Sequence, residues 1–327
     1  MKVEAKYYEV KDNHIACQMC PHYCKIMPGK LGLCRSRKNE DGKLWAINYG
    51  ETTSIALDPM EKKPLYHFYP GTQILSIACN SCNMQCPFCQ NWEISQITVK
   101  TEYLAPDILV KIFKEHASVG VAFTYTEPLM WFEYLLDVGK HIRSSGGKNV
   151  LVTNGLINEQ PLLELLPLID AMNIDLKTIN PEVYKKTLHG DLATIKKTIE
   201  LSHKTCHIEI TNLLVTGLND KKKEIDALID YVASVDKNIP LHFSKYYPNY
   251  EYNKPPTSEK IIQYAYEKAH EKLNYVYLGN IPAEDGSNTY CPKCHNLLIE
   301  RMYYKALAKG LSGNKCAKCG EEISIVV

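Results

Sequence analysis

The sequence predicts an α/β protein whose core alternates strands with helices and carries a small cysteine-pinned module at each end. Three observations lead there. Between Thr72 and Ile281, apolar runs of strand length alternate with longer stretches of helical period. Outside that span apolar periods shorten and turn residues crowd in, as in MPGKLGLC and KNEDGK. Cysteine, 13 residues in 327, is gathered rather than scattered: four between 17 and 34, four between 79 and 89, four between 291 and 319, and Cys206 alone. A chain of this length suggests two domains at roughly 150 residues each, or one large core with appendages. A hydrophobic fraction of 45% can fill such a core.

Charge narrows the function classes. With 38 Lys+Arg against 37 Asp+Glu the chain has no overall polybasic character, so neither nucleic acid nor a membrane surface is indicated as a partner. The opening MKVEAKYYEVKDNH lacks a basic-then-apolar signal pattern, and no run of about 18 apolar residues suggests a span. The expected location is cytoplasmic. In that reducing compartment, grouped cysteines mean metal or redox chemistry rather than disulfides.

The first element, 1–65, holds Cys17-x2-Cys20-x3-Cys24-x9-Cys34. Four soft thiolate ligands within 18 residues suggest a closed metal site for zinc or an auxiliary iron–sulfur cluster, with His22 able to replace one ligand. The core, 66–282, reads as strands at 73–79, 119–125, 149–154, 171–177, 207–215, 241–247 and 275–280. Helices are expected at 106–117, 128–144, 159–166, 181–204, 221–235 and 258–273. Ile108, Leu109, Ile112 and Phe113 share one helical face. Pro106, Pro128, Pro161 and Pro181 fall near helix starts, where a missing N–H costs least. Such alternation implies parallel βα units, hence an α/β barrel or a doubly wound sheet. The last element, 283–327, carries Cys291-x2-Cys294 and Cys316-x2-Cys319 separated by 21 residues, close to a four-cysteine zinc ribbon. Its six Lys/Arg against five Asp/Glu give no phosphate-binding signal, so a stabilising cap is expected.

The central group has the chemistry of an open site. Cys82, Cys86 and Cys89 form C-x3-C-x2-C just after the first core strand. A [4Fe–4S] cluster takes one ligand per iron, so three cysteines leave one iron open to a small molecule. A closed four-cysteine site including Cys79 is the competing reading, although a lone strand cysteine is often a small buried hydrophobe. Later strands end in polar strings: Thr124 to Pro128, Thr153 to Gly155, Asn173 to Lys177, and Glu209 to Asn212. Each alone is ordinary turn chemistry. Together, at the ends of successive strands, they read as one ligand site.

These strings resemble the radical S-adenosylmethionine (SAM) superfamily. Cys82-Asn83, Cys89-Gln90-Asn91-Trp92, Thr124 to Pro128, Thr153 to Gly155, Asn173 to Lys177 and Gly217 to Asp220 look like its pyruvate formate-lyase activating enzyme branch. They resemble most the radical SAM member of the AmmeMemoRadiSam system. The resemblance implies a partial (βα)6 TIM-like barrel and a [4Fe–4S] cluster on Cys82, Cys86 and Cys89. Its open iron takes SAM, which is cleaved reductively to a 5′-deoxyadenosyl radical that abstracts hydrogen from substrate. In the branch a Gly-Gly-Glu-Pro string meets the SAM amino group; here Tyr125 and Thr126 stand in place of the glycines, and Glu127 and the backbone at Thr126 keep the role. Asn154, Asp175, Lys177 (toward the SAM carboxylate) and His242 (toward the ribose) are carried over in the same way. Val152 stands where the branch has an acidic cation ligand. Implied partners are an electron donor such as flavodoxin or ferredoxin, and a protein substrate or the AmmeMemoRadiSam partner proteins. No catalytic side chain is singled out, and Cys79 and Cys206 stay unassigned. The rival class, a non-catalytic iron–sulfur/zinc electron carrier or scaffold, would need Cys79 as a fourth ligand and would have no use for Glu127, Asn154 and Lys177.

Overall fold

The computed structural model describes residues 1–281 and 286–327, so the expected boundary at 282/283 lies outside the described residues. Core strands and helices alternate along the chain: β1 (Gln73–Cys79), α1 (Pro106–Glu115), β2 (Gly120–Phe123), α2 (Phe132–Ser144), β3 (Lys148–Thr153), α3 (Glu159–Leu165), β4 (Ala171–Asp175), α4 (Leu192–His203), β5 (His207–Leu214), α5 (Lys222–Val235), β6 (Leu241–Lys245), α6 (Glu259–His270) and β7 (Val276–Gly279). This is the α/β class expected from the sequence. The chain groups into two compact units: 1–57, 74–172 and 181–206 form one; 58–73, 173–180 and 207–327 form the other.

In the first unit β1, β2 and β3 run parallel, with Val121 opposite both Leu75 and Asn149. Every residue of β2 is buried, and β1 is buried from Ile74 to Cys79. Helices cover such strands on their faces, which is why these runs are apolar throughout rather than alternating. Pro106 opens α1 and turns Leu109 and Phe113 inward. Two three-stranded antiparallel sheets precede the core. One joins Val3–Glu4, Lys43–Ala46 and Arg37–Glu40; the other joins Tyr8–Val10, Ile15–Cys17 and Lys25–Ile26.

In the second unit β5, β6 and β7 are parallel, Leu241 lying opposite Ile210 and Val276. Tyr66, Tyr275, Tyr277, Leu298, Ile299 and Ile323 pack with Cys291 and Cys316 into a buried cluster, so the cysteine-rich tail has an apolar core as well as its thiols. Among the described residues no helix is long and apolar enough to cross a membrane.

One expected element differs. The helix foreseen over 181–204 is broken: a short turn, Pro181–Val183, passes into a π-helical turn at Tyr184–Leu188, and α4 restarts at Leu192. His189 is left-handed (φ 52°), and the Asp191 side chain accepts the Thr194 N–H at 2.8 Å, an N-cap that starts a new helix. A Cβ at Gly190 would stand 2.8 Å from Met84 Cε and 3.2 Å from Tyr184 Cδ1, so close approach favours glycine there.

Gly120 is the tightest position of the sheet. A Cβ there would lie 1.9 Å from the Lys148 carbonyl oxygen and 2.5 Å from its nitrogen, both backbone atoms of the paired strand. Gly120→Ala should therefore cost about 3 kcal/mol or more by forcing β2 from β3, read as a lowered denaturation midpoint; an unchanged midpoint would contradict this register.

Candidate functional site

The loop after β1 is pinned by its amides. Asn80 donates to the Ile94 and Ile97 carbonyls at 2.6 and 2.8 Å and accepts the Val99 N–H at 3.0 Å. Buried Asn83 donates to the Leu156 carbonyl at 2.7 Å, and its own carbonyl accepts from His22 Nε2 at 2.7 Å. A Cys86–Cys89 backbone turn closes at 3.1 Å, while Met84 and Phe88 are buried anchors. Cys82 Sγ accepts the Met84 N–H at 3.4 Å, and Cys89 Sγ lies 3.2 Å from Ser95 Oγ. Withdrawal from water pushes the Cys82 thiol well above its ordinary range, and neighbouring Glu127, Cys86 and Cys89 add to the effect. Three neighbouring thiols make a donor set that a soft cation would complete, taking them as thiolates.

Glu127, after β2, joins that loop to the end of β3. Its buried carboxylate accepts three protons: from Leu129 N at 3.0 Å, Thr153 Oγ1 at 2.7 Å and Asn154 N at 2.8 Å. Asn154 Nδ2 in turn reaches Asn83 Oδ1 at 3.0 Å and Cys82 Sγ at 3.8 Å. Thus Cys82, Glu127 and Asn154 come together. Thr126 donates its hydroxyl to the Cys79 carbonyl at 2.9 Å. Cys79 Sγ is itself settled, 3.4 Å from Thr126 Oγ1, 3.5 Å from Ser81 Oγ and 3.6 Å from the Glu127 carbonyl. Burial raises its thiol, as expected of a core cysteine.

The second unit places Asp175 and Lys177 side by side, Nζ to Oδ2 at 2.9 Å. Asn212 donates to the Leu176 carbonyl at 2.7 Å, and Asn219 to the Lys177 carbonyl at 2.6 Å, so the T-N and G-L-N-D strings hold the backbone that carries Lys177. His242 goes elsewhere. It lies early in β6, buried, with Nε2 2.6 Å from Glu209 Oε2. Glu209 also meets His207 Nε2 at 3.0 Å and the His67 N–H at 2.7 Å. Burial alone would raise the Glu209 carboxyl, but its bonds to His207 and His242 hold it well below the usual carboxylate range. His242 is thus a satisfied core histidine, contrary to the ribose contact that the resemblance implies.

The terminal cysteine groups also assemble. Cys291 and Cys319 sulfurs lie 3.6 Å apart, and those of Cys294 and Cys316 3.7 Å apart; among the described residues this is the one such group whose ligand atoms all fall within 4.8 Å of one another. Cys17, Cys20, Cys24 and Cys34 line a single cavity in the first unit. Cys206 bonds the Ser202 carbonyl at 3.5 Å within the end of α4, and burial pushes its thiol up to about 12.

The radical SAM superfamily model matches residues 76–232, the stretch holding the three-cysteine loop and the strand ends just described. The chain belongs to the radical SAM superfamily. Among its relatives, an uncharacterized protein of Methanocaldococcus jannaschii is 40% identical over 99% of both chains. A pyruvate formate-lyase-activating enzyme of Staphylococcus epidermidis is 26% identical over 51% of this chain and 71% of its own. A probable GTP 3′,8-cyclase of Methanosarcina acetivorans is 22% identical over 80% and 83%. The structure of Streptococcus suis SuiB bound to S-adenosylmethionine aligns with a TM-score of 0.50 at 13% identity, over 62% of this chain and 48% of that one, a likeness of fold alone.

Radical SAM membership implies SAM and a [4Fe–4S] cluster, and three clustered soft thiols suit that group. Sequence reasoning missed the fasteners of this radical SAM site. Asn80, Asn83 and Asn91 act through side-chain bonds to distant backbone, Asn91 Nδ2 reaching the Tyr125 carbonyl at 2.7 Å. Their only sequence signal was position, inside or beside the cysteine motif.

The buried histidines yield a pH prediction. His67 donates Nδ1–H to the Ser324 carbonyl at 2.7 Å and accepts at Nε2 from Tyr277 Oη at 2.6 Å, and burial pushes its pKa down to about 3. Between about pH 6.5, where a free histidine titrates, and about pH 3, the unfolded chain binds a proton that the folded chain refuses. Stability should therefore fall as pH drops through that window, by up to about 1.4 kcal/mol per pH unit. Urea midpoints across the window should show a shallower slope for His67→Gln; an identical slope would assign the effect elsewhere.

Proposed function

We propose that this chain is a radical SAM enzyme of the activating-enzyme type, which abstracts hydrogen from its substrate. The observation that carries the reading is the link from Cys82 through Asn154 to Glu127, which ties three clustered thiols to the strand-end residues. A scaffold or electron carrier has no need of that link, and Cys79, its required fourth ligand, is occupied by Thr126, Ser81 and the Glu127 carbonyl.

In this reading 1–65 is a metal module, 66–282 a partial (βα)6 barrel and 283–327 a zinc-bound cap. Cys82, Cys86 and Cys89 would hold three irons of the cluster. When bound and reduced, that cluster supplies the electron that cleaves SAM to methionine and a 5′-deoxyadenosyl radical. Glu127 fixes the loop at Thr126, whose backbone would meet the SAM amino group, and Asn154 bonds Glu127 and Cys82 together; Lys177, paired with Asp175, would take the SAM carboxylate as the resemblance implies. The buried strand ends exclude water that would quench a radical. Cys291, Cys294, Cys316 and Cys319 suit zinc: sulfurs 3.6 and 3.7 Å apart match the edge of a tetrahedron about one ion, with Zn–S near about 2.3 Å. A reduced flavodoxin or ferredoxin is the donor, and the reducing compartment that this thiol content requires is the cytoplasm. The likeness to a pyruvate formate-lyase-activating enzyme favours glycyl-radical installation on a partner protein as the net reaction.

Anaerobic reconstitution followed by dithionite and SAM tests this. The wild type should release 5′-deoxyadenosine and methionine; Cys82→Ala should release neither. Cys79→Ala should keep the activity at a cost of about 1 kcal/mol in stability. Loss of the cluster in Cys79→Ala as complete as in Cys82→Ala would overturn three-ligand binding, and an intact cluster that never cleaves SAM would favour the scaffold.

A further inference from the structure

The amino-terminal cysteines enclose a space rather than collapse on a point. Cys17 ends the strand Ile15–Cys17, Cys20 and Cys24 flank the turn that follows, and Cys34 arrives on the next loop. The turn is fixed by Tyr23 N to the Cys20 carbonyl at 3.2 Å and by Cys17 N to the Cys24 carbonyl at 3.0 Å. With Met19, Ile26 and Met130 these four line a cavity of about 10 Å3. The carboxyl-terminal four differ: there the sulfurs close to 3.6 and 3.7 Å, leaving room for one ion. Among the described residues, the amino-terminal sulfurs form no such group within 4.8 Å. Sulfurs that bind the corners of a multi-iron cluster must stand farther apart than sulfurs sharing one ion.

The same cavity is lined by a buried charge with spare donors. Arg37 is 1% exposed and pairs with Glu133 through Nη2 at 2.9 Å, while its Nε and Nη1 have no hydrogen-bond acceptor. Buried N–H groups left without an acceptor are costly. Thiolate and sulfide sulfurs of a cluster would be such acceptors.

Position supplies a purpose. Asn83, the neighbour of Cys82, lines this cavity too, and its carbonyl accepts the Nε2 proton of His22, which sits between Cys20 and Cys24. The loop that would hold the SAM-binding cluster therefore forms a wall of the amino-terminal cavity.

We propose that Cys17, Cys20, Cys24 and Cys34 hold a second iron–sulfur cluster, charge-compensated by Arg37, through which an electron reaches the cluster on Cys82, Cys86 and Cys89. The relay rests on the radical SAM reading above; the second cluster itself does not. One electron leaves a reduced flavodoxin or ferredoxin, reduces the amino-terminal cluster by one unit, and passes on to reduce the second cluster by one unit, so the relay ends oxidised as it began.

The full-length chain with Cys82→Ser, Cys86→Ser and Cys89→Ser, reconstituted with ferrous iron and sulfide, tests the site. It should keep about four iron and four sulfide per chain, with visible absorbance that bleaches on reduction. Zinc at this site, or no retained iron, would overturn the proposal. SAM cleavage by wild type holding a single cluster would sink the second site and leave the radical SAM reading standing; two clusters without SAM cleavage would do the reverse. In the same triple variant, adding Arg37→Gln alone should lower the reduction potential of the retained cluster, because a positive charge beside it is lost, and an unchanged potential would remove Arg37 from the assignment. For the relay, Cys17→Ser with Cys20→Ser should keep dithionite-driven SAM cleavage but lose about tenfold or more of the rate driven by reduced flavodoxin. Equal retention with both reductants would exclude the relay.

Discussion

A single buried carboxylate organises the candidate site. Glu127 accepts from Leu129 N, Thr153 Oγ1 and Asn154 N, which fixes its own turn, the end of β3 and the T-N-G string at once. Hydrogen bonds to a charged acceptor contribute about 1.5–3 kcal/mol each, and a buried carboxylate stripped of them would be costlier still. The geometry is therefore held as one piece: Asn154 cannot shift without disturbing Glu127, nor Asn83 without disturbing Asn154. Preorganisation of this kind lets a site meet a charged ligand with little rearrangement.

Around that piece the thiols behave differently by place. Those at Cys79 and Cys206 have hydrogen-bond partners of their own and fill core positions. The carboxyl-terminal four meet in pairs, and a metal bound there would supply folding free energy by receiving them as thiolates. The tail's apolar cluster, with Leu298, Ile299 and Ile323, is small, and Cys291 and Cys316 are part of it, so ligation there would reinforce core packing.

Much of the fold was legible because buried parallel strands and amphipathic helices have different periods. β1 falls at Gln73–Cys79 as read from QILSIAC, and the later strands shift by no more than two residues at either end. The break between Leu188 and Leu192 was hidden: Tyr184, Leu188 and Leu192 continue a plausible apolar face, while a left-handed His189 and the close approach of Gly190 to Met84 are tertiary facts. In the site, residue types that ligate or carry charge announced themselves, as Cys82, Glu127 and Lys177 did. The amides Asn80, Asn83 and Asn91 did not, since bonds to backbone 14 to 73 residues away leave no local pattern. His242 misled for the converse reason: its partner Glu209 is on another strand, 33 residues earlier.

Tyr125 shows how the departures from the family pattern can be absorbed. Where the resemblance places glycine, this chain has a tyrosine at φ 66°. The left-handed region costs a non-glycine residue about 1–2 kcal/mol. Asn91 returns a comparable amount by donating to the Tyr125 carbonyl at 2.7 Å, a bond of about 1 kcal/mol, and the Thr126 N–H closes on the Thr124 carbonyl at 2.8 Å. Asn91 stands two residues past Cys89, so the stretch that ends the cysteine loop also sets the strand-two turn. The backbone path that glycine would allow is thus kept by a hydrogen bond, and the side chain left over, half-buried at the end of β2, is a ring that a glycine-bearing relative would lack.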